Sequence, residues 1–237
     1  IISTELDFFI VYKSLFNLGH LELEKQNFFR AIGYFERAAN LYKNDYRLIL
    51  NLAICYAEIL DFEKAINLMD KIPQFLWSSG LYEIYGGLLF ITKDKRFEEF
   101  TEKYKSETPY IKALALYNSK KYDEALALLK DYTKNNLAPH FFIHYLFFRI
   151  YDSKKNFEMA NKEAFLIAQK AEISRKIDMA IQFYTYIEKN KGGIPLIYWV
   201  IGNLYEEKKD YTNSINYYEK YISFEKESEK KDNIVAA

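Results

Sequence analysis

The sequence is poor in the features that build an enclosed catalytic site. It holds one cysteine, Cys55, among 237 residues. No internal disulfide can form, and the redox compartment is left unconstrained. Cys55 falls on the apolar side of an expected helix, where a thiol serves as a small buried hydrophobe. Glycine is scarce, with eight in all. The pairs Gly86-Gly87 and Gly192-Gly193 lack the rest of any phosphate-cradling loop, and no serine stands in a nucleophile elbow. The four prolines, Pro73, Pro109, Pro139 and Pro195, all fall at expected gaps between helices. Neither charge sign is in excess, with 33 basic and 33 acidic residues. A chain built to hold a nucleic-acid backbone shows a basic surplus or stripe; here there are only mixed runs such as Lys93-Asp94-Lys95-Arg96. No apolar run approaches the roughly 18 residues that span a bilayer. Alternating strands and hairpin dipeptides are missing too.

The histidines and acids give no reaction centre. His140 and His144 lie four apart and could share a metal-facing side of a helix, but no third ligand is evident and no metalloprotease pattern surrounds them. Glu98-Glu99 and Glu206-Glu207 are adjacent pairs, which point in different directions on a helix and make no acid–base dyad. No cofactor and no metal are expected, and the chain reads as non-enzymatic.

What is present is helical periodicity with a repeat. Apolar residues recur at three- and four-residue spacing nearly everywhere. Leu15, Leu18, Gly19, Ala31, Phe35 and Ala38 become Ile49, Leu52, Ala53, Ala65, Met69 and Ile72 after a displacement of 34 positions. Phe28 recurs as Phe62 and Ile32 as Ile66. A unit of this length cannot bury its apolar face alone, so copies must stack. The spacing predicts helices over 4–25, 28–42, 45–59, 62–71, 75–93, 96–106, 109–119, 122–134, 139–152, 156–172, 175–190, 195–208 and 211–227. Asn27, Asp61, Asn156 and Asp210 occupy expected N-cap positions, and Thr108-Pro109 fits a cap followed by a first helical residue. In each pair a small residue of the first helix (Gly19, Ala53, Gly202) admits the second helix. A large residue of the second (Phe35, Met69, Leu129) is expected to fill the space between adjacent units.

The pattern resembles the tetratricopeptide repeat family. An aromatic–Leu–Gly–Tyr run in the first helix is matched by Tyr198, Ile201, Gly202 and Tyr205. Ala31 with Phe35, and more loosely Ser214 with Tyr218, match the second helix. Lys-Lys-Tyr-Asp-Glu-Ala at 120–125 and Leu-Asp-Phe-Glu-Lys-Ala at 60–65 match the turn between them. The resemblance implies an all-α, right-handed superhelical solenoid of antiparallel helix pairs, about six units with an irregular middle. One repeat domain is expected over 1–227, with units near 12–44, 45–73, 75–106, 109–135, 139–172 and 195–224 and an unpaired extra helix at 175–190. Residues 228–237 form a charged tail expected to be disordered.

In this family the first helices line a concave groove that holds peptides. By resemblance the groove positions are Phe16, His20 and Glu24, then Leu50, Ile54 and Glu58. Tyr110, Leu114 and Tyr117 follow, then Phe142, Tyr145 and Arg149, and lastly Trp199, Asn203 and Glu206. The implied function is a scaffold that captures a peptide or helix of a partner protein. A second reading is a small hydrophobic ligand held in a central pocket near the aromatics of 141–151. Nucleic acid is not an expected partner. The Lys/Asn/Arg clamp for acidic chaperone tails is not expected either, because Phe16 and His20 stand at its early positions and only Asn51 fits. Self-association is left open. With no initial methionine, the expected localisation is a bacterial cell envelope, reached by a targeting segment since lost, or otherwise the cytoplasm.

Overall fold

A computed structural model describes residues 2–134, 140–190 and 194–235, with side chains for 6–134, 140–190 and 194–224. Among them are thirteen α-helices and a 3-10 turn at Gln74–Leu76, and no strand. The helices form two compact units, Ile1–Ile143 and His144–Ala237. In the first are α1 (Ile2–Glu24), α2 (Phe28–Leu41), α3 (Tyr46–Glu58), α4 (Phe62–Met69), α5 (Ser79–Thr92), α6 (Phe97–Tyr104), α7 (Pro109–Asn118) and α8 (Tyr122–Thr133). In the second are α10 (Phe157–Ile173), α11 (Ile177–Lys189), α12 (Leu196–Glu207) and α13 (Tyr211–Val235). The division falls inside α9 (Phe141–Ser153). The last helix continues past the expected end at 227 to Val235. Pro139 and Gly192-Gly193 lie outside the described residues.

One turn closes nearly every helix pair. Positive φ angles occur at Gln26, Leu60, Lys93, Lys120, Lys155, Arg175 and Lys209, and at no described glycine. After each, the next backbone N–H reaches five residues back, as in Asn27 N to Glu22 O and Asp210 N to Tyr205 O, 2.8 and 2.9 Å. This is the Schellman closure of a helix C-terminus, which usually recruits glycine. Using lysine, arginine, glutamine or leucine there costs roughly 1 kcal/mol per turn, offset by the packing the turn enforces. Asn156 and Asp210 accept the N-cap bond as expected, from Met159 N and Asn213 N. Asn27 and Asp61 occupy the cap position without bonding the helix. Their side chains turn to Glu22 and Lys64 instead. Thr108 caps α7 with Pro109 at its first position.

Small residues meet large ones both within a helix pair and between pairs. A Cβ added to Gly19 would lie 2.6 Å from the Phe35 ring, and one on Gly202 would lie 2.6 Å from Tyr218. Phe35 thus fills the space over its own pair's glycine and is wholly buried. In the irregular stretch, Gly87 gives way to Phe142, whose ring a Cβ there would meet at 2.5 Å. Phe100, standing where alanine is expected, packs with Trp77, Tyr82, Tyr85 and Tyr104 in one aromatic cluster. Burying roughly 150–250 Å² per ring makes such clusters a main source of stability.

The many tyrosines are explained by a second device. Tyr12 donates to Asp45 at 2.6 Å, Tyr85 to Asp70 at 2.5 Å, Tyr186 to Asp152 at 2.7 Å and Tyr217 to Glu188 at 3.0 Å. Each bond ties a ring packed between helices to an acid on another element.

The helix at 177–189 is not unpaired, contrary to expectation. The Arg175 turn joins it to α10, and Tyr184 of α11 packs edge-on against Phe165 of α10 and donates to Glu172. Arg175 and Lys209 stand 34 residues apart, so α10–α11 and α12–α13 are successive copies of one unit.

Candidate functional site

α10 carries two stripes with opposite character. Ala160, Ala164, Ile167, Ala168 and Ala171 are wholly buried; small side chains let neighbouring helices close on this face. The other stripe faces open space. Two hollows run along it, of about 700 and 450 Å³, and share Phe165, Ile194 and Ile197. Leu166, Ile187 and Asn190 wall the first; Ile173, Leu196 and Val200 wall the second. Leu166 is 43% exposed, Ile173 75% and, at the start of α12, Leu196 51%. Large apolar side chains left this open mark an interaction surface more often than a stable monomer surface.

Polar groups punctuate the trough. Asn161 lines it, and its Oδ1 is buried with no hydrogen-bond partner among the described residues. An unpaired buried acceptor costs roughly 1–3 kcal/mol, which a donor entering the trough would recover. Asn190 Nδ2 donates to the backbone oxygen of Tyr186 at 2.9 Å. Glu158 and Lys162 pair with each other at 2.9 Å on the rim. Gln169 and Glu172 complete the wall.

The groove positions expected from sequence divide sharply. Trp199 is exposed; Asn203 and Glu206 lie 2.7 Å from the Tyr218 hydroxyl. Counting 34 residues back from Trp199, Asn203 and Glu206 gives Phe165, Gln169 and Glu172, which line the trough. The sequence reading placed α9 here instead, through Phe142, Tyr145 and Arg149. Phe142 and Tyr145 are buried. Tyr145 and Phe148 pack on Phe183, and Arg149 lies 3.4 Å from the Tyr145 hydroxyl. Every apolar residue of α9 from Phe141 to Tyr151 is buried, which leaves only His144, Arg149, Asp152 and Ser153 partly or fully open, so the helix offers no apolar face to a partner. The aromatics of 141–151 that suggested a central ligand pocket are likewise packed, Phe148 against Tyr186 and Phe147 against Tyr151.

In the first unit, Tyr110 is wholly buried and donates to Phe142 O at 3.2 Å; Leu114 is buried as well. Phe16 is half-buried against Phe35, with the Arg47 guanidinium over its ring. Leu50 and Ile54 are half-buried, while His20 is exposed and 3.8 Å from Glu24. Tyr117 lies against Phe90 and Tyr122. The two candidate metal histidines face different acids: His140 Nε2 is 3.5 Å from Glu83 and His144 Nδ1 is 2.7 Å from Glu163. Cys55 is buried, and burial, then the charge of Glu58, pushes its thiol up to about 12. No helix among the described residues is long and apolar enough to cross a membrane.

Residues 196–228, α12 and much of α13, match the model of the tetratricopeptide repeat. No curated protein matches the chain. Among solved structures, MamA is 18% identical over 90% of this chain and 97% of its own, with a TM-score of 0.31. YrrB, described as a TPR protein with an unusual peptide-binding site, is 17% identical over 75% and 90%, with a TM-score of 0.42. The C-terminal part of a TPR repeat-containing protein from Cytophaga hutchinsonii is 14% identical over 88% and 94%, with a TM-score of 0.41.

Proposed function

We propose that this chain, a tetratricopeptide repeat protein, is a non-catalytic scaffold whose α10–α12 trough holds an apolar segment of a partner protein. The observation that carries the reading is the open stripe of α10. It is apolar, in register with the matched repeat, and supplied with an unpaired acceptor at Asn161. An extended or helical segment offers what the trough lacks: apolar side chains for Leu166, Ile173 and Leu196, and an N–H for Asn161 Oδ1. Because the wall is built from packed helices, the ordering cost of binding falls on the partner. Phe165, which lines both hollows, and its apolar neighbours then act as anchors, since such rings supply large contact area with few rotatable bonds.

Selection of a displayed random-peptide library on the intact chain tests this. An apolar consensus is expected, with binding reduced about tenfold or more, roughly 1.4 kcal/mol, in both Leu166→Asp and Ile173→Asp. Circular dichroism and melting should be unchanged in both variants. Selected peptides that bind both variants as tightly as the parent would place the binding surface elsewhere.

A further inference from the structure

The first unit carries a separate hollow of about 500 Å³, formed by α1, the end of α2 and the start of α3. It lies in the size range of small-molecule sites. Exposed rings of Phe8, Phe9 and Tyr42 form its apolar walls. Three charged groups line it, and their hydrogen bonds decide what it can take. Asp45 is fully occupied. Its Oδ1 accepts the backbone N–H and Nε–H of Arg47 at 2.9 and 3.0 Å. Its Oδ2 accepts from Arg47 Nη2 at 2.7 Å and from the Tyr12 hydroxyl at 2.6 Å. The bonds from Arg47 hold this carboxyl well below the usual carboxylate range, so it stays ionised and cancels the Arg47 charge.

Two donors remain. Arg47 Nη1 makes no hydrogen bond among the described residues. Lys13 is half-buried and lies over the Phe9 ring at 5.4 Å, with no carboxylate partner among the described residues. The hollow therefore presents aromatic walls, a net single positive charge and no unpaired carboxylate. We infer that it binds an apolar monocarboxylate: an acyl or aryl body against Phe8, Phe9 and Tyr42, with the carboxylate accepting from Lys13 Nζ and Arg47 Nη1.

Calorimetry on the intact chain with decanoate and 4-phenylbutyrate tests this, with decanol as the uncharged control. At least one acid should bind. Decanol should bind about tenfold more weakly than decanoate, a difference of roughly 1.4 kcal/mol. Lys13→Gln should weaken the acids about five- to tenfold without moving the melting temperature, and added salt should weaken them in the parent. Leu166→Asp, in the other unit, should leave this binding intact, which separates it from loss of peptide capture. The inference is overturned if neither acid binds, if decanol matches decanoate, or if Lys13→Gln binds as the parent does.

Discussion

α9 and α10 follow one another in the chain, and the sequence pointed to α9 as the wall of a groove, yet it is α10 that carries the open apolar stripe. α9 buries Tyr145-Leu146-Phe147-Phe148 and leaves only the polar His144, Arg149 and Asp152 half-buried beside them. α10 gathers its small residues on one stripe and sets Asn161, Leu166, Gln169 and Ile173 on the other. The difference teaches that aromatic content is a poor guide to a binding surface in a helical array. What decides is how apolar and polar residues are distributed around the helix, because a groove helix needs one face for its neighbours and another for the partner.

That contrast has measurable consequences. Phe148 packs on Phe183 and Tyr186 with ring centroids 5.1 and 4.9 Å apart. Phe148→Ala should cost about 3–5 kcal/mol in urea unfolding, whereas Leu166→Ala on the open stripe should cost no more than about 0.5 kcal/mol. Equal losses would erase the distinction between the two helices. Between these extremes lies the tyrosine bonding of α11 to α13. Burial, then the nearby Glu188 carboxylate, pushes the Tyr217 phenol up to about 12 from its usual 10. The fold thus favours the neutral phenol. Its contribution is complete below pH 10 and is lost as pH rises through 12. Tyr217→Phe should cost about 1 kcal/mol at neutral pH and should flatten the alkaline loss of stability in that window. An unaltered alkaline limb in the variant would remove Tyr217 from that role.

Much of the fold could be read in the sequence because it is local. Helix periodicity, the 34-residue displacement and the close approach of the second helix at Gly19 and Gly202 are written in residue types at regular spacing. The turns were legible in position but not in closure. Their left-handed residues are Lys93, Lys120, Lys155 and Lys209 rather than glycine, so nothing in the residue type announces them. Asn27 and Asp61 show the same limit, since residue type marks a cap position but not whether the side chain bonds the helix or a neighbouring charge. The tyrosine–carboxylate bonds escaped because their partners lie far apart in sequence, 33 residues for Tyr12 and Asp45. The trough was missed at Phe165 and Gln169 although the signal was available. The same 34-residue step back from Trp199 and Asn203 reaches both, but the aromatic run of α9 competed for the role.

Thiol labelling reads the assignment of these two helices most directly. Cys55 is buried, with its thiol pushed up to about 12, so the parent chain should react slowly with a disulfide reagent at neutral pH. Introduced singly, Leu166→Cys in α10 should react at nearly the rate of a free thiol, while Ile150→Cys in α9 should react no faster than Cys55. Fast labelling at position 150 with protection at 166 would contradict an interior α9 and an open α10.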